Sequence, residues 1–210
     1  MENSIKLHGT EAPSAWVQRW SHLVKPGGTV LDVACGFGRH SDWFYASNHF
    51  VVAVDRAKDA IESIAKRMTR ERCEAVMADI EAGPWPFTGR LFDAVIVTNY
   101  LWRPLLPTLV GSLADSGVLI YETFTEGNET VGKPSRPDFL LRTGELLAVC
   151  QGLRVVAFED GFQQGPDGGS ARFVQRIAAV REAGAKTASV AGFSASEVSQ
   201  AVQIKRYSLP

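Results

Sequence analysis

The chain of 210 residues has no long apolar run, no block of like charge and few cysteines. About 18 uninterrupted apolar residues would be needed for a membrane-spanning helix, and none occur. Residues 1–10 are polar, whereas a signal peptide begins with a basic segment followed by an apolar one. We therefore expect a cytoplasmic protein that has no membrane partner.

The chain also lacks the residue patterns of disulfide frameworks and metal sites. Cys35, Cys73 and Cys150 are odd in number and far apart, which is typical of reduced thiols. Neither these cysteines nor the 4 histidines have metal-ligand spacing, so no metal is expected. The net charge of −1 comes from 22 basic and 23 acidic residues spread along the chain, which argues against a nucleic-acid partner.

Short apolar segments alternate with segments of helical periodicity. Strands are predicted at residues 29–33, 50–54, 75–78, 92–98, 117–123, 153–159 and 171–180. Helices are predicted at residues 13–23, 39–46, 57–70, 104–113 and 143–149. This alternation predicts an α/β fold, Rossmann-like and doubly wound, with a seven-stranded, mostly parallel sheet whose last strand is antiparallel. We expect one domain over residues 1–182 and a C-terminal tail of uncertain order over residues 183–210.

The loop after the first strand reads VLDVACGFGRH over residues 30–40. Small residues at Ala34, Gly36 and Gly38 let the backbone approach a ligand, and the helix that follows presents unpaired N–H groups. A nicotinamide fingerprint fits poorly in either frame, and no Gly-Lys-Ser/Thr follows that would make a P-loop. The loop is predicted to hold a cofactor.

Two acids end neighbouring strands and favour a nucleoside as the ligand. Asp55 closes the second strand, where a carboxylate accepts hydrogen bonds from both ribose hydroxyls. Asp79 follows the third strand, and its carboxylate is suited to an adenine amino group. Arg56 is placed either beside the adenine or on the open surface.

The segments VLDVACGFG, VVAVDR, ADIE, FDAVIVTNYL and GVLIYETF, in this order, resemble the class I methyltransferases that use S-adenosylmethionine. The segment GNETVGKPSRPDFLLRTGELL and the stretch NYLWRPLLP are similar to a small bacterial subgroup grouped with tellurite-resistance methyltransferases. Ala34 departs from the pattern, because many members have glycine there. The cofactor-binding residues that the resemblance and the loop together imply are Asp32, Ala34, Gly36, Gly38, Asp55, Arg56, Asp79, Ile80 and Asn99.

Residues that follow the fourth and fifth strands are expected to face the methyl acceptor. The candidates for the substrate pocket are Tyr100, Trp102, Arg103 and Phe124, and those for a general base are Glu122, Tyr100 and Tyr121. Glu122 could equally orient its neighbours, and the aromatic residues could simply wall the site. The loop at residues 133–137 is either a lid or an excursion, and Trp16 and Trp20 form either a core stripe or a lid.

The expected activity is methyl transfer from S-adenosylmethionine to a small molecule. The resemblance suggests a thiol or a metalloid oxyanion as the acceptor, and an oxygen or nitrogen acceptor is equally compatible with these residues. The reaction needs no acid, base or metal in principle. Two alternatives remain open at this point: a non-catalytic nucleoside-binding or regulatory module on the same fold, and an NAD-dependent oxidoreductase. The sequence predicts no oligomeric state.

Overall fold

The computed structural model describes residues 11–164, 171–183 and 207. Seven strands are present: β1 (Thr29–Val33), β2 (Phe50–Asp55), β3 (Cys73–Met77), β4 (Phe92–Thr98), β5 (Leu113–Phe124), β6 (Arg154–Gln163) and β7 (Arg172–Val180). Five α-helices accompany them: α1 (Ala15–Trp20), α2 (Arg39–Ala46), α3 (Lys58–Arg67), α4 (Leu106–Gly111) and α5 (Glu145–Val149). Short 3-10 turns lie at Ser21–Leu23, Arg103–Leu105, Asn128–Thr130 and Pro137–Phe139.

The strands form one sheet in the order β3-β2-β1-β4-β5-β7-β6. Neighbouring strands from β3 to β5 pair in parallel, whereas β7 runs antiparallel to both β5 and β6. The predicted fold class is confirmed, including the antiparallel last strand. The strand order reverses between β1 and β4, and ligands of such sheets bind at this point beyond the carboxyl ends of the strands.

Each face of the sheet carries its own apolar core. On one face, Trp16, Trp20, Phe44 and Ile64 of the first three helices pack against alternate sheet residues. On the other face, leucines of α4 and α5 do the same. Trp16 and Trp20 are 4% and 2% exposed, so they form a core stripe rather than a lid.

Several boundaries differ from the predicted ones, and at two of them strand pairing overrides the local sequence. β6 continues to Gln163, inside a stretch predicted as a loop, since Gln163 still pairs with Arg172 across the hairpin. β5 begins at Leu113, which pairs with Phe92 before a register shift. No helix in the described parts of the chain is long and apolar enough to cross a membrane.

The predicted tail at residues 183–210 lies almost entirely outside the described residues. Ala183 and Tyr207 are the described members. Tyr207 is partly buried against the core cluster that contains Trp16.

Candidate functional site

A cavity of about 730 Å³ lies at the carboxyl ends of the parallel strands. Its volume falls within the roughly 300–1,000 Å³ of small-molecule sites. The cavity is lined by Ala34, Asp55, Arg56, Ala78, Asp79, Ile80, Glu81, Asn99, Tyr100, Leu101, Thr123, Phe124, Lys133, Pro134, Ser135, Arg136 and Phe139. We call the part at Asp55 and Asp79 the acidic end, and the part at Phe124 and residues 133–139 the loop end.

Asp55 ends β2, and two backbone N–H groups hold its carboxylate. The N–H of Gly36 donates to Oδ2 at 2.8 Å, and the N–H of Ala57 donates to Oδ1 at 2.8 Å. Because a carboxylate oxygen has two lone pairs, each oxygen keeps one acceptor position for a ligand. A carboxylate fixed in this way in the cavity wall fits the two hydroxyls of a ribose.

The loop between β1 and α2 has left-handed backbone at three alternate residues. Ala34, Gly36 and Gly38 have φ of 51°, 53° and 81°. Ala34 lines the cavity, whereas Gly36 and Gly38 do not. A β-carbon at Gly38 would meet Cδ1 of Ile64 at 2.8 Å, so packing against α3 requires the glycine there.

Asp32 is buried beneath this loop and does not line the cavity. It is 2% exposed, and the Ser41 hydroxyl donates to its Oδ2 at 2.6 Å. Burial raises the pKa of Asp32 to about 6, although the Ser41 hydrogen bond acts in the opposite direction. The buried carboxylate accepts from Ser41 of α2 and so joins the end of β1 to that helix.

Asp79 is exposed at the acidic end, and backbone N–H groups again fix the carboxylate. Oδ1 accepts from the N–H of Ala82 at 3.0 Å and of Glu81 at 2.9 Å, and these bonds lower the pKa of Asp79. Arg56 and Ile80 line the cavity beside it. Asn99, with φ of 53°, lines the cavity after β4, and its N–H donates to the Glu122 carbonyl at 2.9 Å.

The four substrate-pocket candidates divide into two pairs. Tyr100 and Phe124 line the cavity, whereas Trp102 and Arg103 do not. Arg103 pairs with Glu145 at 2.8 Å and also donates to the carbonyl groups of Asp138 at 3.1 Å and Leu140 at 2.7 Å. Arg103 thus acts on the loop that forms the cavity wall, and its role as a substrate contact stays a prediction.

The base candidates Tyr121 and Glu122 are buried away from the cavity. The Tyr121 hydroxyl donates to the Tyr100 carbonyl at 2.8 Å, and burial raises the pKa of both tyrosines. Glu122 is 2% exposed, pairs with Arg176, and accepts from the Ser14 hydroxyl at 3.0 Å. Of the three candidates, the structure brings only Tyr100 to the cavity wall.

A polar cluster of Ser14, His40, Thr98, Glu122 and Arg176 lies beneath this wall. The Ser14 N–H donates to Nε2 of His40 at 3.1 Å, so the ring proton is on Nδ1, which faces Thr98 Oγ1 at 3.4 Å. Burial lowers the pKa of His40 to about 3, which keeps the ring neutral. The cluster joins the start of α1 to Thr98 at the end of β4 and to Glu122 near the end of β5. The residues that directly follow these two, Asn99 and Thr123, line the cavity.

Sequence reasoning missed Ser14, Asn128 and Arg176, which support the site. Asn128 is 1% exposed; its Nδ2 donates to the Pro134 carbonyl at 2.9 Å, and its Oδ1 accepts from the Phe173 N–H at 3.1 Å. Local periodicity gives no signal for such residues, because their partners are distant in sequence.

Comparisons with known proteins agree with this geometry. Residues 30–116 match the family model described as a methyltransferase domain. No curated protein sequence is significantly similar to the chain.

Solved structures share the fold at low sequence identity. TehB from Haemophilus influenzae is 17% identical with a TM-score of 0.67, over 83% of this chain and 64% of TehB, so the chain spans less than two thirds of that protein. The glycopeptide N-methyltransferase MtfA, solved with S-adenosyl-L-homocysteine, is 18% identical with a TM-score of 0.56, over 81% and 90% of the two chains. The [4+2]-cyclase SpnF is 14% identical with a TM-score of 0.59, over 80% and 78%.

The matched methyltransferase domain at residues 30–116 and the strand order lead to the same fold, which is that of solved S-adenosylmethionine-dependent methyltransferases. The predicted resemblance to class I methyltransferases is confirmed, and S-adenosylmethionine is the cofactor that this resemblance predicts.

Proposed function

We propose that the protein transfers the methyl group of S-adenosylmethionine to a small-molecule acceptor bound at the loop end of the cavity. The observation that carries this proposal is the single cavity that joins Asp55 and Asp79 to Phe124 and Phe139. One cavity with a nucleoside-binding end and an apolar end can hold two reactants side by side, as a direct transfer requires.

The residues of the acidic end fit the cofactor. Asp55 would accept from the ribose hydroxyls with the acceptor positions that Gly36 and Ala57 leave open. Asp79 and Ile80 would flank the adenine, and Ala34 and Asn99 would lie near the methionine part and the sulfonium. Asp32 does not line the cavity, so from beneath the loop it would act on the positive ammonium through its charge rather than by contact, which would favour its charged form.

When bound, S-adenosylmethionine supplies a methyl group on positively charged sulfur; the acceptor lone pair forms the new bond, the C–S electron pair stays on sulfur, and any acceptor proton leaves to water. The chain's own contribution is to position the acceptor and exclude water. Phe124 and Phe139 provide apolar wall at the loop end, and Leu101 lines the cavity as well.

No side-chain base is required by this chemistry, and the three candidates remain predictions. Tyr100 is the candidate with access to the cavity. Glu122 is engaged by Arg176 and Ser14, and the Tyr121 hydroxyl is engaged by the Tyr100 carbonyl. The structure thus favours a mechanism in which positioning supplies most of the rate.

A thiol or a metalloid oxyanion remains the acceptor suggested by the resemblance, and a cytoplasmic location and no nucleic-acid partner remain the expected setting. Because MtfA is a glycopeptide N-methyltransferase, nitrogen acceptors also belong in the test panel. SpnF is a [4+2]-cyclase, so the fold also supports an activity other than methyl transfer. For this reason the test must measure methyl transfer itself.

The experiment incubates the protein and S-adenosylmethionine with thiols, phenols, amines and metalloid oxyanions, and measures S-adenosylhomocysteine release. We expect acceptor-dependent release that Asp55→Ala reduces and Asp59→Ala leaves unchanged, because Asp59 is exposed on α3 outside the cavity wall. Tight binding of S-adenosylhomocysteine without release for any acceptor would favour the non-catalytic module instead.

A further inference from the structure

We propose that the methyl acceptor is an organic anion, and that Lys133 binds its charged group. This inference rests on the proposed function and names the substrate class of the same site. Lys133 is then a specificity-determining residue of the loop end.

Charge is distributed unequally along the cavity. The acidic end carries Asp55, Asp79 and Glu81, with Arg56 beside Asp79. At the opposite end, Lys133 and Arg136 line the wall, and none of the described acidic residues does. An acceptor bound there meets a positive wall, so an anionic group on it is favoured.

Lys133 is the less engaged of the two cations. Within residues 11–164, 171–183 and 207, no carboxylate lies within 4.0 Å of its ammonium, and it makes no hydrogen bond there. Arg136, by contrast, donates to Asp138 at 2.8 Å and lies 5.1 Å from the centre of the Phe139 ring. The charge that remains available to a ligand is therefore that of Lys133.

The backbone that carries Lys133 is held from both sides. Asn128 binds the carbonyl of Pro134, the residue directly after Lys133, and is itself anchored by the Phe173 N–H. Arg103 holds the other side of the loop through the carbonyl groups of Asp138 and Leu140. Because these bonds fix the loop before any ligand binds, little ordering of the backbone is needed to form the anion site.

The same end offers apolar surface, which distinguishes an organic anion from a bare inorganic one. Phe124 and Phe139 line the cavity together with Lys133. A ligand that uses all three side chains has an apolar body and a charged group at its edge. An inorganic oxyanion would reach the cation but would leave both rings unused.

The test measures binding of a matched pair of ligands to protein saturated with S-adenosylhomocysteine. The probes are 4-(methylthio)benzoate and 4-(methylthio)benzamide, which differ in charge at one position, and sulfate serves as the inorganic anion. We expect the wild type to bind the benzoate about fivefold more tightly than the benzamide, since a partly exposed ion pair contributes up to about 1 kcal/mol. This preference should weaken with added salt.

Two lysine variants decide which residue is responsible. Lys133→Met should bind both organic probes equally, while Lys66→Met, an exposed lysine of α3 outside the cavity wall, should keep the preference. The proposal is overturned if the wild type binds the two probes equally or neither, if Lys133→Met keeps the preference, or if sulfate binds as tightly as the benzoate. Failure of the proposed function would show itself separately, as absence of S-adenosylhomocysteine binding or as absence of acceptor-dependent S-adenosylhomocysteine release in the turnover assay.

Discussion

The two ends of the cavity are held together by different kinds of contact. At the acidic end, carboxylates are fixed by backbone N–H groups of nearby loops: Asp55 by Gly36 and Ala57, and Asp79 by Glu81 and Ala82. At the loop end, side chains bond backbone groups far along the chain: Asn128 accepts from the Phe173 N–H, and Arg103 donates to the Leu140 carbonyl. Main-chain geometry thus builds the acidic end, whereas side-chain contacts between distant parts of the chain build the loop end.

This difference distinguishes residues that are proposed to bind the cofactor from residues that hold the cavity wall in place. Asp55 is fixed but keeps acceptor positions facing the cavity, while Glu122 has its oxygens engaged beneath the wall. Both are acids at the ends of sheet strands. Four substitutions, taken from the largest expected effect to the smallest, test whether the two classes behave differently.

Glu122→Gln is expected to cause the largest loss of stability. Replacing one member of a buried ion pair leaves Arg176 poorly compensated, so unfolding in urea should show a loss of about 3–5 kcal/mol. Glu159→Gln is the matched control; Glu159 bonds the same Arg176 at 3.0 Å but its side chain is 48% exposed, so the loss should stay below about 1 kcal/mol. Full stability with lost turnover would instead make Glu122 a catalytic residue.

Gly38→Ala tests whether the cofactor loop is constrained by packing. The new methyl group would meet Ile64 at 2.8 Å in a left-handed backbone, so we expect the free energy of unfolding to fall by about 2–4 kcal/mol. Gly89→Ala is the control, because Gly89 has φ of +77° with nothing within 4 Å and should lose only about 1 kcal/mol. Equal losses in thermal unfolding would mean that Ile64 moves aside.

Asp55→Ala should weaken cofactor binding more than it weakens the fold. Loss of charge-assisted hydrogen bonds of about 1.5–3 kcal/mol corresponds to a roughly 10- to 100-fold lower affinity for S-adenosylhomocysteine in calorimetry. The affinity of Asp59→Ala for S-adenosylhomocysteine should stay close to that of the wild type. Unchanged affinity in Asp55→Ala would show that the ribose binds elsewhere.

His40→Gln tests the polar cluster through pH. Because burial holds the pKa of His40 at about 3, the neutral ring contributes its full stability above its unfolded pKa of about 6.5 and loses it as pH falls toward 3. Glutamine does not titrate, so the stability advantage of the wild type over the variant should shrink by about 2 kcal/mol between pH 7 and pH 5. A constant difference across this range would show that His40 protonates freely in the folded protein.

Sequence reasoning succeeded where structure depends on neighbouring residues. The bounds of β1, β4 and α2 match the predicted ones, because continuous apolar runs and a short glycine loop encode them locally. Asp55 and Asp79 lie at the predicted edge of the sheet and line the cavity for the same reason, because the carboxyl ends of parallel strands share one edge.

The prediction was weakest for contacts between distant residues. Arg103 was expected in the substrate pocket, but its partner Glu145 lies 42 residues further along the chain. Glu122 pairs with Arg176 at a separation of 54 residues. No periodicity or spacing encodes such pairs. Only the folded structure shows whether a polar residue at a strand end faces the cavity or the polar cluster beneath its wall.

The most direct test of the account is calorimetric titration of the wild type and Asp55→Ala with S-adenosylhomocysteine and NAD. We predict micromolar binding of S-adenosylhomocysteine to the wild type, at least about tenfold weaker binding to the variant, and no binding of NAD. Binding of NAD without S-adenosylhomocysteine, or equal affinity in the two proteins, would contradict the assignment of this cavity to S-adenosylmethionine.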